Sequence, residues 1–263
     1  MARSSRDSNG MPADDRYFIT ALARGLDVLS CFKSTDKALS NQQIVERCGL
    51  PKSTVTRITA TLVRLGYLRS SDDIDGRFAL GMKTLALGTA AIAGMDVRRI
   101  ARPMLQDLAD QTHSGVSIAV RSNFSLVYIE VCNGVGALGL TIQIGSRVRL
   151  ASSAIARAYL AEADERERAE ILAIAKERGE QAYQGVLDDI RRGEQDIAAY
   201  GCTTSMGDWQ EHINGIALAF RPPGDPVLMS INCGGAASIL PPKYLLEEAA
   251  PRLIRIVEQL RGR

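Results

Sequence analysis

GLPKSTVTRITATLVRLGYL, residues 49–68, decides the reading of the first third of the chain. A turn-forming Gly49-Leu50-Pro51 precedes one unbroken helical pattern with proline at its first position, and Gly66 closes it. Val55, Ile58, Leu62 and Leu65 recur at helical spacing and mark a buried stripe. Lys52, Ser53, Thr54, Thr56 and Arg57 crowd the first two turns. A solvated helix needs polar residues, but not this set gathered at one end. A helix N-terminus offers free N–H groups to phosphate, while short hydroxyls and a long guanidinium reach base edges. The pattern points to DNA, with Lys52 and Thr54 positioning the backbone, and Thr56 and Arg57 reading bases beside Ser53.

The flanking residues extend this unit in both directions. Ser40 and Gln43 form a capping box that opens a short helix, NQQIVERC, ending at Gly49. Upstream, residues 18–32 carry Ile19, Leu22, Leu26 and Leu29 at helical spacing, which predicts a helix. Downstream, Tyr67-Leu68 and Phe78–Leu80 flank an Asp/Gly-rich turn, which predicts a β-hairpin. Three helices and a hairpin make a winged helix-turn-helix. Arg69 and Arg77, at the two ends of the hairpin, are in place to reach phosphates or a minor groove. An ion pair of Arg77 with Asp73 or Asp75 is the alternative.

Charge supports the same division. Residues 1–85 hold 13 Lys/Arg and 9 Asp/Glu, a net of +4, and the remaining 19 and 21 give −2, which together make the chain's +2. A locally basic segment on a nearly neutral chain indicates a polyanion partner for that segment alone. Five cysteines, Cys31, Cys48, Cys132, Cys202 and Cys233, lie far apart without a CxxC pair. This predicts reduced thiols in a cytoplasmic protein, with no zinc site, no other metal and no cofactor. No apolar run reaches the roughly 20 residues of a membrane helix. The first 16 residues read as a disordered polar tail.

Beyond residue 81 the pattern changes. Residues 82–94, MKTLALGTAAIAG, predict a small-residue linker helix, and 95–112 continue helically. Strands are expected at 115–121, 125–131 and 138–144, then helices near 153–161, 164–179 and 187–200. A hairpin around PPGD (213–221 and 226–232) and a helix from Pro242 follow. The fold class is therefore α+β with an antiparallel sheet in the second half. Domain limits fall at 17–81, 82–94 and 95–263.

"ALARGLDVLSCF", "IVERCGLPKSTVTRITATLVRLGYL", "GRFALG", "ARPMLQDLADQT" and "GSRVRLASSAIARAYLA" together resemble the IclR family of bacterial transcription regulators. The resemblance covers nearly everything after residue 16 and loosens after residue 180. It implies a GAF-like effector-binding domain, homodimers or homotetramers, and control of nearby catabolic genes by a small organic acid. RNA polymerase is a further partner if bound protein recruits it. The family's ligand contacts correspond here to Ser152 and Ser153 at a helix start, to Ser205 and Gly215, and to Ser230 and Asn232 on the last strand. Plain helix caps are the alternative for the first pair, and a solvent-facing strand side for the last. Ser205-Met206-Gly207-Asp208-Trp209 stands where many relatives carry an acidic pair, Gly215 where some carry cysteine, and Arg149 where proline is usual. These departures imply a different ligand. Trp209, the only tryptophan, and His212 point to an aromatic or larger acid, although a lone tryptophan is often core.

An enzymatic second half is the competing class. Only His113 and His212 supply imidazole, no HExxH, GxSxG or P-loop pattern occurs, and Cys233 lacks a marked base. A MarR-like regulator would lack the strand-rich half, and a protein-interaction module would not need the basic helix.

Overall fold

A computed structural model describes residues 17–33, 35–71, 76–136 and 142–262. The proposed tail, the Asp73 and Asp75 partners of Arg77, and most of the strand expected at 138–144 lie outside the described residues. The chain divides into two compact units, residues 1–94 and 95–263.

In the first unit, α1 (Thr20–Ser30), α2 (Asn41–Cys48) and α3 (Lys52–Leu65) surround a small core. The capping box of α2 forms, with Gln43 N donating to Ser40 Oγ and Ser40 N to Gln43 Oε1. Helix α3 ends at Gly66, whose φ of 80° closes it in the left-handed region that glycine enters freely. Pro51 is not the first residue of α3 but the extended one before it, with ψ of 141°. A two-residue strand absent from the sequence reading, β1 (Leu39–Ser40), joins β2 (Leu68–Ser71) and β3 (Arg77–Leu80) in the order β1-β3-β2. Helix α4 (Met82–Ala93) follows and buries no residue.

The apolar stripes of α1 and α3 are only partly core. Leu22 and Leu26 of α1 are 59% and 53% exposed, and Val28 is the buried residue of that helix. In α3 the buried set is Val55, Thr59 and Leu62, and Leu65 is 49% exposed. Periodicity reports an apolar face without saying what covers it. A threonine enters the core because its hydroxyl returns to the helix: Thr59 Oγ1 donates to Val55 O at 3.0 Å.

The second unit is a six-stranded antiparallel sheet with a helical layer on each face. Its strands are β4 (Gly115–Ser122), β5 (Ser125–Asn133), β6 (Arg147–Arg149), β7 (Thr203–Met206), β8 (Ile213–Phe220) and β9 (Met229–Ala236), in the order β6-β5-β4-β9-β8-β7. On one face lie α5 (Asp96–Thr112) and the C-terminal helices, where α9 (Pro242–Tyr244) runs through a π segment (Leu245–Ala249) into α10 (Ala250–Leu260). On the other lie α6 (Ala154–Glu162), α7 (Glu165–Arg178) and α8 (Glu180–Tyr200). Two-sided cover explains why β8 is buried at every position and reads as near-continuous apolar sequence.

Three expected boundaries move. The described part of 138–144 is not strand; Gly145, at φ of 87°, turns the chain into β6 instead. Helix α8 starts at Glu180 rather than 187, because Val186 and Ile190 pack under it. The second strand of the PPGD hairpin starts at Met229 rather than 226. Strand β7, polar in sequence, was not expected.

A β-bulge in β5 sets up the geometry of the second unit. The register places Ile118 opposite Glu130 and Ala119 opposite Tyr128, so Ile129 is the extra residue. Tyr128 thus faces the α6 layer, while Glu130 meets α5, 2.9 Å from Arg98 and 2.5 Å from Arg102.

Candidate functional site

Helix α3 presents its polar residues as three distinct strips. Ser53, Arg57, Ala60 and Arg64 are all exposed and follow each other at four-, three- and four-residue steps, so they form the outermost line. Lys52 is exposed in the first turn, where the free N–H groups are. Thr56 lies toward α2. Its hydroxyl donates to Lys52 O at 2.9 Å and accepts from Asn41 Nδ2 at 2.9 Å. That hydroxyl is already used to hold α2 and α3 together. Thr54 points the other way, half-buried beside α1.

Arg69 and Arg77 are exposed on the wing strands. Arg77 opposes Ser71, two residues from Arg69, so the two guanidiniums share one face of the hairpin. The sequence reading missed Arg64 and Asn41. Arg64 was legible from its spacing to Arg57, but the role of Asn41 required the folded pairing of two helices.

In the second unit, a cavity of about 40 Å³ lies between the sheet and the N-terminus of α6. Ser153, Ser205, Gly215 and Asn232 all line it, with Trp209, Tyr128 and Asn214 among their neighbours. Ser153 is the N-cap of α6 and accepts from Ala156 N at 3.4 Å. Ser205 Oγ donates to Ser152 O at 3.5 Å. Asn232 accepts from Ser117 Oγ at 2.7 Å through Oδ1, which leaves its amide N–H groups for the cavity.

Two expected contacts stand aside from this lining. Ser152 is exposed, holds a left-handed φ of 63°, and gives its N–H to Asp189 Oδ2 at 2.7 Å. Ser230 lies on the same sheet face as Asn232, between Ala119 and Ala219, but further along the strand and fully buried. Its hydroxyl has no hydrogen-bond partner among the described residues. His212 is exposed and does not line the cavity.

Residues 21–72 match the IclR helix-turn-helix domain, and residues 89–260 match the C-terminal domain of the bacterial transcriptional regulator IclR. The chain belongs to the IclR family. A curated IclR-type relative, the HTH-type transcriptional regulator TsaQ1/TsaQ2 of Comamonas testosteroni, is 30% identical over 93% of this chain and 88% of its own. Among solved structures, an IclR family transcriptional regulator from Brucella abortus is 39% identical, with a TM-score of 0.82 over 95% of this chain and 94% of that one. An IclR homolog from Microbacterium hydrocarbonoxydans, solved in complex with 4-hydroxybenzoate, shares the fold at 24% identity and a TM-score of 0.67, covering 92% of this chain and all (100%) of that one. The protein is a DNA-binding transcriptional regulator, and its relatives in the family are regulators rather than enzymes. Among the described residues, no helix is long and apolar enough to cross a membrane and no cluster has the makings of a metal site.

Behind the cavity of this IclR chain lies a charged network that sequence reading did not find. Arg157 of α6 is 2% exposed. Its Nε donates to Asp189 Oδ1 at 2.8 Å, and one terminal nitrogen donates both to Thr204 O and to Asp208 Oδ2 at 2.7 Å. Asp208 also meets Arg192 at 3.0 Å. Burial alone would raise the Asp208 carboxyl, but the hydrogen bond and charge of Arg157, with help from Arg192, hold it below the usual carboxylate range. Helix α8 comes close enough to complete the network because of Gly193, where a Cβ would lie 2.8 Å from Arg157 O. A signal existed: Arg157 is the one cation in AIARAYLA, a helix buried at nearly every position.

Proposed function

We propose that this regulator binds operator DNA as a homodimer or a pair of dimers in the cytoplasm, and that a small organic acid in the second-unit cavity alters its affinity for operators of catabolic genes. The observation that carries this reading is the cavity lining. Hydroxyl and amide groups of Ser153, Ser205 and Asn232 meet beside the N-terminus of α6, and no charged side chain lines the space. Such donors recognise a carboxylate without a buried cation that would be costly when the site is empty. Tyr128 and Trp209 add aromatic walls suited to a ring. The 4-hydroxybenzoate complex of the Microbacterium homolog supports an acid of this class.

The apolar surface of the first unit supports assembly. Leu22 and Leu26 of α1, Leu65 of α3 and Leu87 of α4 border an open groove of about 590 Å³, and Met82 and Leu85 of α4 are exposed nearby. A second copy packed on the exposed leucines of α1 and α4, and not over Arg57, which also lines the groove, would cover them and set two recognition helices on successive half-sites. The catalytic alternative finds little support. Among the described residues, no imidazole, thiol or carboxylate lines the cavity. The Cys233 thiol is enclosed, and burial pushes it up, away from the thiolate, although Ser114 and Thr112 pull the other way.

The test couples calorimetry to gel shifts, with 4-hydroxybenzoate as the first probe. Binding should weaken in the Ser205→Ala, Asn232→Ala double variant, and the acid should change operator affinity by about 1–3 kcal/mol. Unchanged ligand affinity in the double variant would place the pocket elsewhere. A ligand that binds without altering operator affinity would remove it from the mechanism.

A further inference from the structure

The cavity as it stands is too small for the ligands it would serve. Its 40 Å³ is near the space of one water, about 30 Å³, and well below the roughly 150 Å³ that accommodates a benzene ring. A wall must therefore move before an aromatic acid can enter. The sheet strands form one wall, and the other is the start of α6, fixed by the Ser153 cap and by Thr203 Oγ1 donating to Ala154 O at 2.8 Å. The cover that carries Trp209 is different in kind. Residues 207–212 are a largely exposed connection between β7 and β8. It is tied at its base by Gly207 N to Ile213 O at 3.1 Å and by Ile213 N to Gln210 O at 2.9 Å. Beyond that base, His212 O accepts from Ala237 N at 2.9 Å and Trp209 packs against the core under α6, and the polar side-chain ties among the described residues are those of Asp208 to Arg157 and Arg192.

Arg157 holds both jaws of the cavity at once. Through Asp208 it grips the cover, and through Asp189 it reaches Ser152 N at the start of α6. Removing the Asp208 arm leaves Arg157 paired with the buried Asp189, so the helix side stays in place while the cover is freed. Gly207, with φ of 79°, supplies a point where the backbone can turn.

We propose that Asp208 is the latch of a lid formed by residues 207–212, and that breaking its pairs with Arg157 and Arg192 determines how large a ligand the cavity admits. This rests on the reading of the cavity as the effector site. Acids no larger than a few atoms enter the latched state, and ring-sized acids enter only when the latch opens. Their apparent affinity and association rate scale with the open fraction.

Trp209 is the only tryptophan in the chain, so its emission in the full-length protein reports the lid directly. In acrylamide quenching without any ligand, Asp208→Asn should raise the quenching constant by about twofold or more, Asp208→Glu should stay near wild type, and Arg192→Gln should fall between. In stopped-flow mixing with 4-hydroxybenzoate, Asp208→Asn should associate about fivefold faster, as its charge pairs with Arg157 and Arg192 are both lost. Should Asp208→Asn fail to fold, judged by circular dichroism, Arg192→Gln alone decides, and quenching equal to wild type overturns the latch. Equal quenching in Asp208→Asn overturns it as well. Raised quenching with no response to 4-hydroxybenzoate in any variant supports the latch and removes the effector reading of the cavity.

Discussion

Helix α3 and the second-unit cavity, the two recognition sites proposed for this chain, are built in opposite ways. On α3 the acting groups point outward from a single element, and Arg57 can be removed without disturbing anything that holds the helix in place. In the cavity the lining comes from α6 and from β5, β6, β7, β8 and β9, and the charges that organise it are buried behind it. The lesson is that function separates from stability in the first unit and is entangled with it in the second.

Arg157→Ala breaks that contrast most severely. It leaves Asp189, 6% exposed, as a buried carboxylate without its guanidinium, and should cost about 3–5 kcal/mol. Urea unfolding followed by Trp209 fluorescence measures it. A loss under about 1 kcal/mol would show that the network is dispensable and the entanglement illusory. Arg57→Ala is the matching change in the first unit. It should alter stability by less than about 0.5 kcal/mol while costing roughly 1–3 kcal/mol in operator binding and relaxing preference at particular bases. Lys52→Ala should weaken all sequences alike and reduce the salt slope by about 1. Gel shifts at several salt concentrations separate the two, and wild-type binding by both would mean another surface reads the DNA.

Acid should expose the same difference. Asp208 is held below the ordinary carboxylate range, so its contribution is fully present above the unfolded value, about 4, and is lost as pH falls through the lower folded value. Melting curves from pH 5 to 2.5 should therefore show a cavity-side transition that Asp208→Asn flattens. The smallest effect belongs to Ser230. Its buried hydroxyl has no partner, so Ser230→Ala should be neutral or stabilising by up to about 1 kcal/mol. A loss exceeding that would reveal an unseen partner.

Much of this molecule was legible before any coordinates. The capping box at Ser40, the glycine stop at Gly66 and the wing strands depend on neighbours within a few residues, and each formed where local chemistry dictates. The α+β class and antiparallel pairing followed from pattern in the same way. The DNA-facing set was readable because exposed residues on one helix keep their sequence spacing in space, and even Arg64 sits at that spacing from Arg57. Cavity residues are harder to read. Ser153, Ser205, Gly215 and Asn232 were named through likeness to relatives, since nothing in their own surroundings links them.

What the sequence determined by itself is whatever rests on periodicity and short-range hydrogen bonding: the helices, the turns, the basic face of α3 and the identity of the family. Tertiary structure alone decided what covers each apolar stripe and which polar groups meet. Leu22 and Leu26 look like core in sequence and are exposed, because burial depends on a partner surface that one chain need not supply. Arg157, Asp189 and Asp208 lie on α6, on α8 and after β7, far apart along the chain. Only closure of the sheet under its helices brings both carboxylates within 2.8 Å of Arg157, and once buried there the guanidinium must pair.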